Sequence, residues 1–168
     1  MVRGEKQVVA KSDAGQARRR RRLTTAVKES LRDLRVQLAL LNHRVGARVD
    51  LKDVDLDCLD LVNRHGPLSP SALAQQAGLH PATMTGILDR LERGGWVVRE
   101  RDRADRRAVV VRPLRERNGE LLRQYAGMNN LMDDICAGYD EAELELLAGF
   151  LRRVADAGRD ATDDLAAG

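Results

Sequence analysis

Aromatic residues are almost missing from this sequence: one Trp, two Tyr and one Phe among 168 residues. A core without rings must be filled by Leu, Val and Ala, which suits helices better than a sheet sandwich, so a mainly α fold is expected. Cysteine is nearly as scarce. Cys58 and Cys136 are too few for a disulfide framework and match no zinc spacing, which points to a reducing compartment and no structural metal. No run of about 18 uninterrupted apolar residues is present, and the Arg-rich N-terminus lacks the apolar stretch of a secretory signal. A soluble, cytoplasmic protein with no membrane partner is therefore expected. Catalytic signatures are absent too: there is no HExxH, no nucleotide-binding glycine loop and no nucleophile elbow, and His43, His65 and His80 lie far apart. Neither catalysis nor a cofactor is expected.

What the chain does have is charge, unevenly spread. Residues 1–50 carry 13 Lys and Arg against 5 Asp and Glu, residues 51–113 are nearly balanced, and residues 114–168 carry 6 against 12. One end is suited to a polyanion, and nucleic acid or an anionic membrane surface would satisfy that count equally. Residues 1–22 are polar, contain Gly4 and Gly15 and end in the run Arg18 to Arg22, without apolar periodicity. They read as a disordered basic arm, either a solvated tail or an extra phosphate contact.

From Thr24 the apolar residues Val27, Leu31, Leu34, Leu38, Leu41 and Val45 alternate in steps of four and three. That spacing predicts a helix over about 24–47 with a seam that needs a partner. A second helix is expected near Lys52 to Arg64, burying Val54, Cys58, Leu61 and Val62 and stopping at His65-Gly66-Pro67. Ser69 can cap a short helix with Pro70 at its first position, closed by Gly78. Leu73-Ala74 followed by Gly78-Leu79 has the spacing of a helix-turn-helix corner, in which Ala74 is small where two helices cross and Leu79 plugs the core. The next helix runs from Pro81 to about Arg93 with Met84, Ile87, Leu88 and Leu91 on one face, ended by Gly94-Gly95.

Trp96 to Arg99 and Ala108 to Arg112 then read as two strands flanking the charged loop from Asp102 to Arg107. Two helices close the chain. One lies near Asn118 to Gly138, and the other begins with Asp140 and Glu143 as a capping box and carries Leu144, Leu147, Leu151 and Val154 at heptad spacing. The expected architecture is mainly α with a small β-hairpin wing. A winged helix-turn-helix over about 52–113 is joined to N- and C-terminal dimerisation helices over about 24–47 and 118–158, all one domain over 23–158, and residues 159–168 form a frayed tail.

The stretch from Leu73 to Val111 carries a family resemblance. Its Leu-Ala…Gly-Leu corner, the run Leu88-Asp89-Arg90-Leu91-Glu92, Gly95-Trp96-Val97 and the wing Asp105-Arg106-Arg107-Ala108-Val109 stand in the order and spacing of the MarR family of bacterial transcriptional regulators, which the chain resembles over roughly residues 24–158. The resemblance implies a homodimer joined through first and last helices, with Val27, Leu31, Leu34, Leu38, Leu144, Leu147, Leu151 and Val154 at the contact. It implies double-stranded DNA with a pseudo-palindromic operator as partner, repression as the usual outcome, and a small aromatic or lipophilic effector between the dimer part and the winged domain. Where many relatives carry an arginine this chain has Gly86, so specificity leans on the wing and on DNA shape.

On the helix from Pro81, the side opposite Met84 and Leu88 presents Ala82, Gly86 and Asp89, flanked by Thr83, Thr85 and Arg90. Thr83 and Thr85 offer hydroxyls and methyls to base edges, and Arg90 is placed to reach the DNA backbone. His80 stands at the helix N-terminus, either as a phosphate or base contact or as a plain cap. Ser71 on the preceding helix is a further candidate DNA contact. In the wing, Arg107 is expected in the minor groove, held there by Asp105, with Arg103 and Arg106 near the tip. Among His43, Arg44, Trp96 and Tyr125, the residues that could line an effector cavity, Trp96 reads as a core plug. Two other readings stand beside this one. Cys58 or Cys136 could make the chain a thiol- or metal-responsive regulator, although both read as small core residues, and a winged helix can serve as a protein-interaction module.

Overall fold

The computed structural model describes residues 3–102 and 105–167. The chain divides into two compact units, one ending at Arg44 and the other beginning at Val45. The described part of the first unit is helix α1 (Arg3–Val49) as far as Arg44. The sequence predicts a disordered arm over 1–22, and here the structure differs: the helix begins at Arg3. Residues 5–22 contain no proline and are rich in Ala, Gln, Lys and Arg, which lose little freedom in a helix. The expected stripe is present but uncovered within the unit, with Val27, Leu34 and Leu38 each about 40% exposed and Leu31 half-buried.

The second unit begins with helices α2 (Asp53–His65), α3 (Pro70–Gln76) and α4 (Pro81–Arg93). Each starts where a side chain satisfies an otherwise orphaned backbone N–H. Ser69 Oγ accepts from Ala72 N–H at 3.1 Å, and His80 Nδ1 accepts from Ala82 N–H at 3.2 Å, with Pro70 and Pro81 at the first helical positions. Between α3 and α4 the chain reverses at Gly78, whose φ of +64° suits a residue without Cβ. Leu79 N–H then bonds Ala74 O at 2.9 Å, closing the corner expected from the sequence.

Strands β1 (Val97–Arg101) and β2 (Val109–Pro113) pair antiparallel, with Arg99 opposite Val111 and Arg101 opposite Val109. One partner was invisible in the sequence. Leu68 in the α2–α3 connection exchanges both backbone hydrogen bonds with Val111, at 3.2 and 2.7 Å, and so forms a third rung on the other side of β2. A single bridging residue before Ser69-Pro70 leaves no alternation to detect. The core joins Leu59 and Val62 of α2, Leu73 and Ala74 of α3, Met84, Ile87, Leu88 and Leu91 of α4, and Trp96, Val97 and Val111 of the hairpin.

Helices α5 (Arg115–Gln124), α6 (Ala126–Cys136) and α7 (Glu141–Ala167) follow. A single helix was expected over 118–138, whereas the structure breaks it at Tyr125. There the backbone bond tightens to Leu122 O, three residues back, beside the poor helix former Gly127. Helix α7 opens on the expected capping box: Glu143 N–H donates to Asp140 Oδ1 at 2.9 Å and Asp140 N–H to Glu143 Oε2 at 3.0 Å. It continues to Ala167, through the described part of the 159–168 segment expected to fray, where Arg159 pairs with Asp156 and Thr162 Oγ1 donates to Gly158 O. Its stripe is also uncovered, with Leu147, Leu151 and Val154 exposed and Leu144 half-buried.

Gly94 carries a testable consequence. A Cβ built there would lie 2.7 and 2.9 Å from the Trp96 indole, which is 1% exposed. Gly94→Ala is therefore expected to lower unfolding stability by about 1–3 kcal/mol, the range for forcing an extra carbon into a filled core, and urea denaturation measures it.

Candidate nucleic-acid interface

Helix α4 divides along its length. Met84, Ile87, Leu88 and Leu91 are at most 1% exposed, and they fix one face of the helix in the core. Opposite them Pro81, Ala82, Thr83 and Thr85 are exposed and Gly86 is half-covered. A helix end lined by such small side chains can approach a surface closely, and the depth of a major groove suits it. Thr85 Oγ1 donates to Pro81 O at 3.1 Å, so its hydroxyl proton is used within the helix and its methyl is left over for contact. The Thr83 side chain is exposed. Ser71 is exposed on α3, with its Oγ 3.0 Å from that of Ser69.

Arg90 has a different partner from the one its position suggested. Its Nη2 and Nε donate to the two carboxylate oxygens of Asp55 on α2, at 2.6 and 3.1 Å, while Asp55 also accepts Lys52 N–H at 3.2 Å. Asp55 is 1% exposed, the one charged residue buried among the described residues. This fork-on-fork geometry holds Arg90 more firmly protonated than usual, chiefly through the hydrogen bonds to Asp55, and it ties α4 to α2. Arg90 thus has an anchoring role that its position on α4 did not suggest, because a buried carboxylate takes up the nearest guanidinium. Asp55 escaped sequence reasoning because it is one of four aspartates on a helix whose pattern marks only apolar positions.

The hairpin is fastened to α4 by a residue the sequence had not singled out. Arg99 on β1 donates from Nη2 to Asp89 Oδ1 at 2.6 Å and to Thr85 O at 3.3 Å, and its Nη1 lies 3.3 Å from Glu92 Oε2. Its backbone N–H donates to Glu92 Oε1 at 2.9 Å. One side chain therefore grips three consecutive turns of α4. The only prior signal was the run Leu88 to Glu92, whose two acids face the strand that follows.

At the hairpin tip, Asp105 Oδ1 accepts from the backbone N–H of Arg107 at 2.9 Å, and Arg101 Nη1 donates to Arg106 O at 2.8 Å. Asp105 shapes the turn; it does not hold the Arg107 guanidinium as expected, because a short Asp two residues back reaches the main chain first. Arg106 and Arg107 are exposed and make no ion pair among the described residues, while Arg103 lies outside the described residues. The exposed end of α4 and the arginine-bearing hairpin are joined through Arg99.

The other candidates sort by burial. Trp96 is a core plug, with the Arg117 guanidinium carbon 4.6 Å from its ring centroid. Tyr125 is half-buried, and burial with the nearby Asp60 and Asp57 carboxylates pushes its phenol up. His43 and Arg44 are exposed on α1. Neither these four nor the exposed residues of α4 and the wing line the groove of about 340 Å³ bordered by Val54, Cys58, Leu61 and Leu79 with Asp57 and Asp60 beside them. Cys58 is fully buried and burial pushes its thiol up to about 11, so it stays protonated at neutral pH. Cys136, read as a small core residue, is only half-buried, because α6 buries no residue in this unit. Among the described residues no group of three His, Cys, Asp or Glu could hold a metal ion, and no helix is long and apolar enough to cross a membrane.

A helix-turn-helix followed by a hairpin bridged back to the corner defines a winged-helix DNA-binding protein. The chain matches the MarR family over residues 51–109. It is 33% identical over 132 residues to the uncharacterized HTH-type transcriptional regulator YcgE of Bacillus subtilis, covering 79% of this chain and 85% of the relative. It is 29% identical to the HTH-type transcriptional repressor YetL of the same organism over half of each chain. Among solved structures, a MarR family protein from Bacillus stearothermophilus superposes with a TM-score of 0.64 at 19% identity, covering 82% of this chain and 96% of that one, which shows the shared fold. The chain belongs to the MarR family. It is a DNA-binding transcriptional regulator and not an enzyme.

Two outcomes test this geometry. Asp55→Ala leaves the Arg90 guanidinium without its partner and is expected to cost about 2–3 kcal/mol of stability by urea denaturation, somewhat under the cost at a fully buried pair because Arg90 keeps part of its water. Iodoacetamide at pH 8 is expected to leave Cys58 unmodified in the native protein and to modify it once the chain is unfolded, as read by peptide mass spectrometry. Since the folded thiol ionises only toward about pH 11 and the unfolded one near 9, native protection is lost, and Cys58 begins to oppose folding, as pH rises through that window.

Proposed function

We propose that the chain represses transcription as a homodimer on a pseudo-palindromic operator. In this reading the exposed end of α4, with Pro81, Ala82, Thr83, Thr85 and Gly86, enters the major groove, and Arg107 of the wing enters the adjacent minor groove with Arg103 and Arg106 at the tip. His80 remains the cap of α4 and lies beside the phosphate that a helix N-terminus attracts, and Ser71 reaches a neighbouring phosphate. Thr methyls can recognise thymine, while the lack of a long side chain at Gly86 leaves sequence readout to the wing and to groove shape. Two copies joined through the stripes Val27, Leu31, Leu34, Leu38 and Leu144, Leu147, Leu151, Val154 would present two such units to successive turns of DNA.

The observation that carries this reading is the pair of exposed wing arginines on a hairpin gripped by α4 through Arg99. Repression follows the name of YetL. A cytoplasmic location fits a DNA-binding protein, and release by a small lipophilic or aromatic effector fits the family. A cysteine switch is a poorer reading, because Cys58 is buried and protonated. An interaction module without DNA would have no use for guanidinium groups spread over the tip.

Arg107→Ala is expected to weaken operator binding by about 1–3 kcal/mol and to reduce the slope of log affinity against log salt by roughly one. Fluorescence anisotropy with a labelled operator duplex at fixed salt reads both. Unchanged affinity with an unchanged slope would remove Arg107 from the interface.

A further inference from the structure

The five arginines Arg18 to Arg22 are not used by the DNA-reading elements. All are exposed on α1 and none makes an ion pair among the described residues. From Ala14 to Lys28 the helix carries six cationic side chains and no carboxylate. Such a density of like charge on one short helical stretch destabilises it unless anions come close.

An opposite excess stands at the far end of α7. Asp160, Asp163 and Asp164 occupy its last turns, exposed and without an ion pair among the described residues. Carboxylates are unfavourable there, because the C-terminal end of a helix is itself the negative pole of the backbone dipole. Both excesses adjoin uncovered apolar stripes. The arginines immediately precede Leu23, 58% exposed, and stand one turn before Val27, and the aspartates lie two to three turns beyond Val154, with Leu165, 85% exposed, next to Asp164.

We propose that Arg18 to Arg22 of one copy dock on Asp160, Asp163 and Asp164 of a second copy, with α1 and α7 antiparallel. The inference rests on the homodimer reading above and adds what fixes its register. Antiparallel pairing sets the N-terminal end of one stripe beside the C-terminal end of the other, so apolar residues meet along the seam and the opposite charges meet at its end. Charged residues flanking an apolar seam set partner choice and direction in paired helices, and they do so through long-range attraction as well as contact. The same arginines laid along DNA phosphates would leave the three aspartates uncompensated, which favours the second copy as occupant.

A charge swap tests it in the full chain. One variant carries Arg18→Glu, Arg19→Glu, Arg21→Glu and Arg22→Glu, a second carries Asp160→Lys, Asp163→Lys and Asp164→Lys, and a third combines them. Sedimentation velocity over a concentration series gives the dimer dissociation constant at low salt and in 0.5 M NaCl, with circular dichroism confirming helix content. Each reversal alone is expected to weaken the dimer about tenfold or more at low salt, the combination to return to within a few-fold of wild type, and high salt to shrink the differences. Replacing the same arginines with Gln, which keeps the helix, should weaken the dimer less than reversal does. A dimer unchanged by either reversal, or a combined variant no tighter than the worse single one, overturns the docking. So does an arginine reversal that lowers only the affinity for duplex DNA, which would assign the arginines to phosphate. A wild-type chain that stays monomeric throughout would instead remove the homodimer itself.

Discussion

A buried carboxylate sets the orientation on which the rest of the winged unit depends. Asp55 is withdrawn from water, and its two oxygens are satisfied by the Arg90 fork and by the backbone at the start of α2. An ion inside a protein is tolerable only when its partners are this complete. The pair therefore acts less as a source of stability than as a constraint: α4 can rotate neither about its axis nor along it without stranding a charge. The apolar contacts of Met84, Ile87, Leu88 and Leu91 would tolerate small slides, and the fork does not.

With one face fixed, the opposite face and the exposed end of α4 are determined, and the hairpin follows. Arg99 reads three turns of the helix at once, through Thr85 O, Asp89 and Glu92, while Glu92 also receives the backbone of β1. Gly94 lets the Trp96 indole lie against the chain between the two elements, and Leu68 pairs β2 from the other side. Helix α4 and the hairpin are thus built as one body. The ordering of the wing tip comes from main-chain bonds to Asp105 and from Arg101, which leaves Arg106 and Arg107 exposed.

Much of this was legible in residue order. The bounds of α4, the Gly78 corner, the hairpin and the Asp140–Glu143 box are each written in local patterns whose physics acts within four residues, and the structure shows them. What was not legible acts across the chain. Asp55 and Arg90 are 35 positions apart, and no periodicity marks a polar residue destined for burial. Leu68 belongs to a strand of one residue. Arg99 has no local pattern to mark it, because its partners on α4 stand 7 to 14 positions away. The helical start of α1 and end of α7 escape residue order for another reason: polar composition suggests disorder, although Ala, Arg, Lys and Gln favour helix where proline is absent.

In the proposed function, recognition by α4 and by the wing is a single act because Arg99 couples them. The direct measurement is the ratio of affinities for operator and for scrambled duplex, at fixed salt, in Arg99→Gln. The coupling predicts a ratio reduced about tenfold or more, with unfolding stability close to that of the parent chain. An unchanged ratio in a variant that folds normally would contradict it.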